Sequence, residues 1–355
     1  MMPPAATPAE AAQATGSVAR IGRALGMALL LGVALAGVGM LALMLGVTPI
    51  PAGDVWAILL TGEGERVPTL VITTLRLPRF VLGLLAGAAL GLVGALLQSA
   101  LDNPLAEPGL LGVSSGASLV VAVVIVFDLS LPFGVLPALA LAGGLAAGLL
   151  ILFATRLTRD PVRTILIGAA ISALLSAMIT CVVVLGEPNE LQALYSFLVG
   201  SLTGRGWDDV RLALPWLAIG IPAALLFARA LNLLQLGDEL AEGLGLPVFR
   251  TRTILLVLSA AMMAAVVSAC GPISFIALIA PHMVRRILRT SDARPVLPLS
   301  GLLGAFLLTA ADLLAREIFR PAELPVGLIT VVIGAPLALA LLRRTLTARQ
   351  RSEES

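Results

Sequence analysis

Ten apolar stretches dominate the sequence: residues 24–45, 80–101, 110–127, 131–155, 164–185, 210–231, 253–271, 273–288, 296–314 and 324–342. A helix rises about 1.5 Å per residue, so about 20 apolar residues cross the roughly 30 Å hydrocarbon layer of a bilayer. The runs are continuous and do not alternate at period two, which points to helices and not to a barrel. Composition agrees. The 355 residues are 59% hydrophobic and 12% charged, against about 25% charged in a soluble domain. Too few charges remain to cover a water-facing surface, which excludes a cytosolic enzyme, a disordered chain and a nucleic-acid binder. The fold class is an all-α integral membrane protein of about ten transmembrane helices. The eighth stretch is short, opens at Gly271-Pro272 and contains Pro281, so it is expected to be broken or to span only in part.

An even number of spans puts both termini on one side. That side carries 16 of the 23 basic residues and the other side 7, so the positive-inside rule makes N- and C-termini cytoplasmic. Residues 1–19, rich in Pro, Ala and Thr, are expected to be a disordered tail. Residues 20–345 form the membrane domain, and 346–355 a second cytoplasmic tail. The apolar run behind Arg20 and Arg23 is about 22 residues, longer than the roughly 7–15 of a signal-peptide core, and is read as a retained first span.

All basic residues are Arg and there is no Lys. A P-loop needs its Lys to reach the phosphates of ATP, so any ATP hydrolysis belongs to another chain. Cys181 and Cys270 lie singly in apolar runs and imply neither a metal site nor a disulfide framework. Ionisable groups inside a membrane are costly and usually functional, and few occur here: Asp312 and His282 lie in or near spans. A proton- or sodium-coupled transporter needs carboxylates or unwound ion-binding helices near mid-membrane, and no nucleophile elbow or HExxH motif suggests an enzyme. Gly83, Gly87 and Gly91, like Gly144 and Gly148, recur at a spacing that lets helix backbones approach closely. Ser172, Ser176 and Thr180 share one face of the fifth span. The loop 232–251, with Asp238, Glu239 and Glu242 among Gly243, Gly245 and Pro247, is the longest cytoplasmic connection apart from the tails.

Two segments are too particular for generic spans: RLPRFVLGLLAGAALGLVGALLQSALDNPLAEPGLLGVSSGASL, residues 76–119, and ADLLAREIFRPAELPVGLITVVIGAPLALALL, residues 311–342. Between them lie LGDELAEGLGLP, 236–247, and GPISFIALIAPHMVRRI, 271–287. Together they resemble the FecCD/cobalamin-type permeases, the membrane subunits of type II ABC importers for haem, ferric siderophores or cobalamin. The resemblance implies a homodimer in the bacterial inner membrane, two cytoplasmic ATPase subunits that bind ATP and magnesium, and a periplasmic binding protein. It implies import by alternating access, with no cofactor or metal held by this chain and no nucleic-acid partner. Haem and ferric siderophore rank level as cargo, with cobalamin third; an ATP-independent secondary transporter or channel is the alternative of another class.

The resemblance also implies residue roles. Arg76, Arg79 and Arg316 stand on the external side and pair with carboxylates of the binding protein. Gly237, Asp238, Glu239, Ala241, Leu244, Gly245 and Leu246 belong to the element that couples to the ATPase. Asn103 and Leu105 form a cytoplasmic gate, and Ser172, Ser176 and Thr180 line the pathway. A second gate between spans four and five is not carried over, because Arg159-Asp160-Pro161-Val162 lacks the small hydroxyl residues of the cobalamin permease. His282, the single histidine, sits in a Pro-His element shared by relatives that carry no haem, and is read as a packing residue.

Overall fold

A computed structural model describes residues 8–62, 64–129, 131–132, 135–155 and 161–353. Among these residues there are fifteen α-helices in chain order: α1 (Pro8–Met44), α2 (Ala52–Thr61), α3 (Arg66–Leu70), α4 (Leu77–Ala100), α5 (Val113–Val126), α6 (Val135–Thr155), α7 (Pro161–Val184), α8 (Pro188–Val199), α9 (Trp207–Leu226), α10 (Ala228–Leu234), α11 (Asp238–Gly243), α12 (Val248–Cys270), α13 (Ile276–Leu288), α14 (Ala293–Glu317) and α15 (Val326–Glu353). A π-helical stretch, Val71–Arg76, joins α3 to α4 without a break. It lies just before Pro78, which cannot donate to the ladder and crowds the carbonyl four residues back.

Six helical segments among the described residues are long and apolar enough to cross a membrane: Ile21–Met44, Arg66–Ala100, Leu166–Val184, Trp207–Leu226, Val248–Cys270 and Ala293–Glu317. The apolar stretches predicted at 110–127 and 273–288 contract to α5 and α13, 14 and 13 residues long. At 1.5 Å per residue each is only about 20 Å. Pro108 opens a 3-10 turn ending at Gly112 (φ 63°), and Gly271, Pro272 and a left-handed Phe275 hold 271–275 out of the helix. Such breaks persist at membrane depth only where protein satisfies their backbone. Here one break serves the other: the Phe275 amide donates to the Glu107 carboxylate at 3.1 Å. α1 begins at Pro8 and α15 continues to Glu353; the first segment reads PAEAAQA, good helix formers behind a proline suited to the first helical position.

The core is organised on α4, which packs against α14, α13, α12 and α9. Its glycines make the close approach that their spacing predicts. A Cβ on Gly87 would stand 2.5 Å from the Gly304 carbonyl oxygen, and one on Gly91 would strike the Ser300 carbonyl. Gly144 and Gly148 admit Ala264 and Ala260 of α12 in the same way. A second junction gathers the ends of α8, α12 and α15. Ser201 N–H donates to the Cys270 carbonyl at 2.8 Å and Gly327 N–H to the Gly200 carbonyl at 3.0 Å. By contrast, few residues of the Leu166–Val184 part of α7 are buried.

Gly87→Val is expected to destabilise the protein by about 1–3 kcal/mol, since the atoms it meets are backbone. Gly26→Val, with open space around it, should change stability by no more than about 0.5 kcal/mol. Thermal unfolding of the detergent-solubilised protein checks both.

Candidate functional site

Polar chemistry concentrates at the two ends of α4. Arg79 and Ala100 lie 21 positions apart in the sequence, about 30 Å along a helix, so the two clusters stand a bilayer's hydrocarbon thickness apart.

At the N-terminal end of α4, Arg76, Arg79 and Arg316 converge. Arg76 donates through Nη1 to the carbonyls of Leu43 (2.6 Å) and Met44 (3.1 Å) and through Nη2 to that of Thr48 (2.5 Å). Arg316 donates to Ala42 (3.3 Å) and Leu45 (2.8 Å). The last carbonyls of a helix have no partner within it and carry the negative end of its dipole, so two arginines cap α1. Gly46 passes directly over both guanidiniums, where a Cβ would lie 2.6 Å from one Arg76 nitrogen. Arg79 forks onto Asp312 of α14 through Nε (2.9 Å) and Nη2 (2.8 Å), and its Nη1 reaches Glu323 at 2.7 Å. The Thr203 hydroxyl donates to the same Glu323 oxygen at 3.1 Å. Burial alone would raise the Glu323 carboxyl, but the hydrogen bond and charge of Arg79 outweigh it and hold the group below its usual range.

The sequence pattern brings these three arginines to one end, and the structure places them together there. It differs on their exposure. All three are only 6–8% exposed, with donors engaged inside the chain, and Arg316 lies in the last turn of α14. The cause is the carboxylate in the span: buried Asp312 needs a cation, and the open end of α1 needs donors. Sequence reasoning missed Asp312 and Glu323 as partners, although an acid inside an apolar helix is itself the signal for one.

At its C-terminal end, α4 stops in a tight turn. Asp102 is left-handed (φ 45°), and Asn103 accepts the Leu105 amide on Oδ1 at 2.9 Å. That side-chain oxygen thus shapes its own turn, and Leu105 stands out 45% exposed. One turn earlier, Gln98 donates to the carbonyls of Ala277 (3.4 Å) and Leu278 (3.2 Å) in α13. Pro281 cannot donate to Ala277, four residues back, so Gln98 supplies what the proline removes. Arg285 completes the contact, donating to Gln98 Oε1 at 2.6 Å and Ser99 at 3.1 Å.

The acidic loop folds into α10 and α11. α11 ends in a Schellman arrangement: Leu246 N–H donates to Ala241 and Gly245 N–H to Glu242, with Gly245 at φ 86°. Gly237, at φ 94°, opens it. Asp238, Glu239, Leu244 and Gly245 are exposed, as a contact surface requires. Ala241 is fully buried and Leu246 packs against the core, so these two anchor the element from within. Leu236 and Leu240, absent from the motif-based set, are exposed and apolar beside Leu244. Helical spacing of Leu240 and Leu244 on one face was the available signal.

On α7, the Ser172 hydroxyl donates to the Gly109 carbonyl at 3.1 Å and Thr180 to Ser176 at 3.1 Å. Both hydroxyls serve backbone, and Ser176 and Thr180 lie on an exposed face. Arg159 and Asp160 lie outside the described residues.

The pattern of the FecCD transport family matches residues 27–344. The chain belongs to this family. It is 45% identical over 312 residues to the Fe(3+) dicitrate transport system permease protein FecD of Escherichia coli, covering 88% of this chain and 96% of that one. It is 40% identical over 292 residues to the iron(3+)-hydroxamate import system permease FhuG of Bacillus subtilis, with 80% and 86% covered. The solved structure of an inward-facing, metal-chelate type ABC transporter superposes with a TM-score of 0.79 at 26% identity, over 89% of this chain and 98% of that chain. This FecCD-family chain is a multi-pass permease of the inner membrane and the non-catalytic membrane component of its transport system.

Because the folded Glu323 titrates below its usual range, its contribution is full above the ordinary glutamate value of about 4.3 and is lost as pH falls through the lowered one. Glu323→Gln should lower the thermal midpoint at neutral pH, with the two curves converging in acid. Asp312→Asn, which leaves the buried Arg79 short of a countercharge, is expected to cost about 3–5 kcal/mol, read as loss of folded protein in the membrane fraction.

Proposed function

We propose that this permease imports a ferric chelate as one half of a homodimer, driven by two cytoplasmic ATPase subunits and supplied by a periplasmic binding protein. The observation that carries this reading is α11. It is a short helix that exposes Leu240 beside Glu239 and Glu242, with exposed Leu236 and Leu244 flanking its two ends. Apolar side chains of this size exposed outside the membrane mark a protein interface. An ATPase pair that closes on ATP would push this rigid element and move the packed helices as bodies.

The uncovered α7 supplies the dimer face and the pathway wall, where Ser176 and Thr180 wet the channel without gripping cargo. Leu105, held out by the Asn103 turn, closes the cytoplasmic mouth by excluding water. Arg76, Arg79 and Arg316 support docking from beneath: they fix the external rim that the binding protein meets and contribute positive potential to it. The Arg bias keeps both termini cytoplasmic. Kinship with permeases named for ferric dicitrate and ferric hydroxamate favours a ferric chelate. Cobalamin is the second reading, since a Halobacterium salinarum cobalamin import permease is 42% identical over 275 residues.

The test is uptake of radiolabelled ferric dicitrate into proteoliposomes holding the permease with its co-expressed ATPase and binding protein. Accumulation that needs ATP and all three components is expected; equal uptake by the permease alone would overturn the reading. Leu240→Asp with Leu244→Asp should weaken ATPase binding by about 2 kcal/mol or more, roughly 30-fold, measured by co-purification.

A further inference from the structure

Arg252 lies in the first turns of α12 and joins two elements distant in sequence. Its Nη1 and Nη2 fork onto the Asp238 carboxylate at 2.6 and 2.7 Å. Its Nε donates to the Ala100 carbonyl, the last of α4, at 2.8 Å. That carbonyl belongs to the helix end whose groups lack intrahelical partners. Asp238 is the first residue of α11, where a carboxylate also suits the helix dipole. One mostly buried guanidinium, 14% exposed, thus clamps the start of α11 to the end of α4.

Immediately after Ala100 the chain enters the turn that sets Leu105. Asn103 N–H donates to Gln98 and Ala106 N–H to Asn103, both at 3.0 Å, and Asn103 Oδ1 accepts from Leu105. The turn is rigid and has its root at the residue Arg252 holds. The other end of the loop is tied elsewhere: Asn232 of α10 donates to Asp292 at 2.7 Å and accepts from the Ala293 amide at 2.7 Å, while Gln235 reaches the Ser291 carbonyl. Besides α12, which follows it in the chain, α11 is thus linked to α14 through Asn232 of α10 and to α4 through Arg252. A planar fork that holds a carboxylate through two bonds resists pivoting, as a lysine ammonium does not.

We infer that Arg252 is the positioning residue through which movement of α11 sets the turn at 101–106, and with it the exposure of Leu105 at the cytoplasmic mouth. The inference rests on the proposed function, in which α11 receives the stroke of an ATPase. Arg252 touches neither cargo nor nucleotide; it acts through Asp238 and Ala100.

The experiment uses the full permease in complex with its co-expressed ATPase, carrying Leu105→Cys in a Cys181→Ser background. The rate of labelling by a membrane-impermeant maleimide is measured without nucleotide and after trapping with ATP and vanadate, and the ratio of the two rates is the readout. With Arg252 present, the ratio, taken as the faster rate over the slower, is expected to be about ten or more. Arg252→Gln should reduce that ratio by about tenfold, or bring it to one, while co-purification of the ATPase persists. Arg252→Lys, which keeps the charge but not the fork, should give about a threefold reduction and guards against failure of the glutamine variant to fold. A merely structural role would lower yield in every nucleotide state and leave the ratio unchanged. An unchanged ratio in Arg252→Gln or Arg252→Lys overturns the relay and spares the coupling reading. A ratio of one with Arg252 in place, or no ATPase retained by that protein, overturns the coupling reading and the relay with it.

Discussion

Hydrocarbon offers a backbone no hydrogen-bond partner, so every interruption of a helix in this chain has to be satisfied by the protein itself. The consequences run through the fold. The end of α1 is closed by Arg76 and Arg316. The carbonyl released by Pro281 is taken by Gln98. The break before α13 is served by Glu107 from the break before α5. Each solution uses a polar side chain from another element, and each draws helix ends into contact. The groups that look functional from their chemistry are largely those that make the breaks tolerable.

This arrangement gives α4 a particular position. Its glycines let α14 approach to backbone contact, Arg79 in its first turn forks onto Asp312, and its last residue roots the turn at 101–106. A helix packed so closely has little freedom to bend, because close-packed interiors transmit strain and do not absorb it. The short α11, with its buried Ala241 and capped end, is similarly stiff. In the function proposed, a transport cycle built on such parts moves bodies against one another.

Several features were legible from residues alone. Continuous apolar runs without period-two alternation decide a helical membrane protein, since a barrel strand would alternate. Glycines at four-residue spacing announce close helix contact, and the structure realises it at Gly87 and Gly91 against Gly304 and Ser300. The proline and glycine before the eighth stretch foretell its shortness, and α13 is 13 residues long. The motif blocks around 76–119 and 311–342 carry the family.

The tertiary structure decided what pattern could not. Arg79 and Asp312 are 233 positions apart, and no periodicity tells that one faces the other or that the arginines at this end turn inward. Which face of α11 is anchored and which is free depends on α12 behind it, so Ala241 and Leu240, adjacent in sequence, take opposite places. Ser172 spends its hydroxyl on Gly109, 63 positions away. Local chemistry fixes which segments are helices and which groups need partners; only the packing of distant helices supplies those partners, because in lipid they must come from elsewhere in the chain.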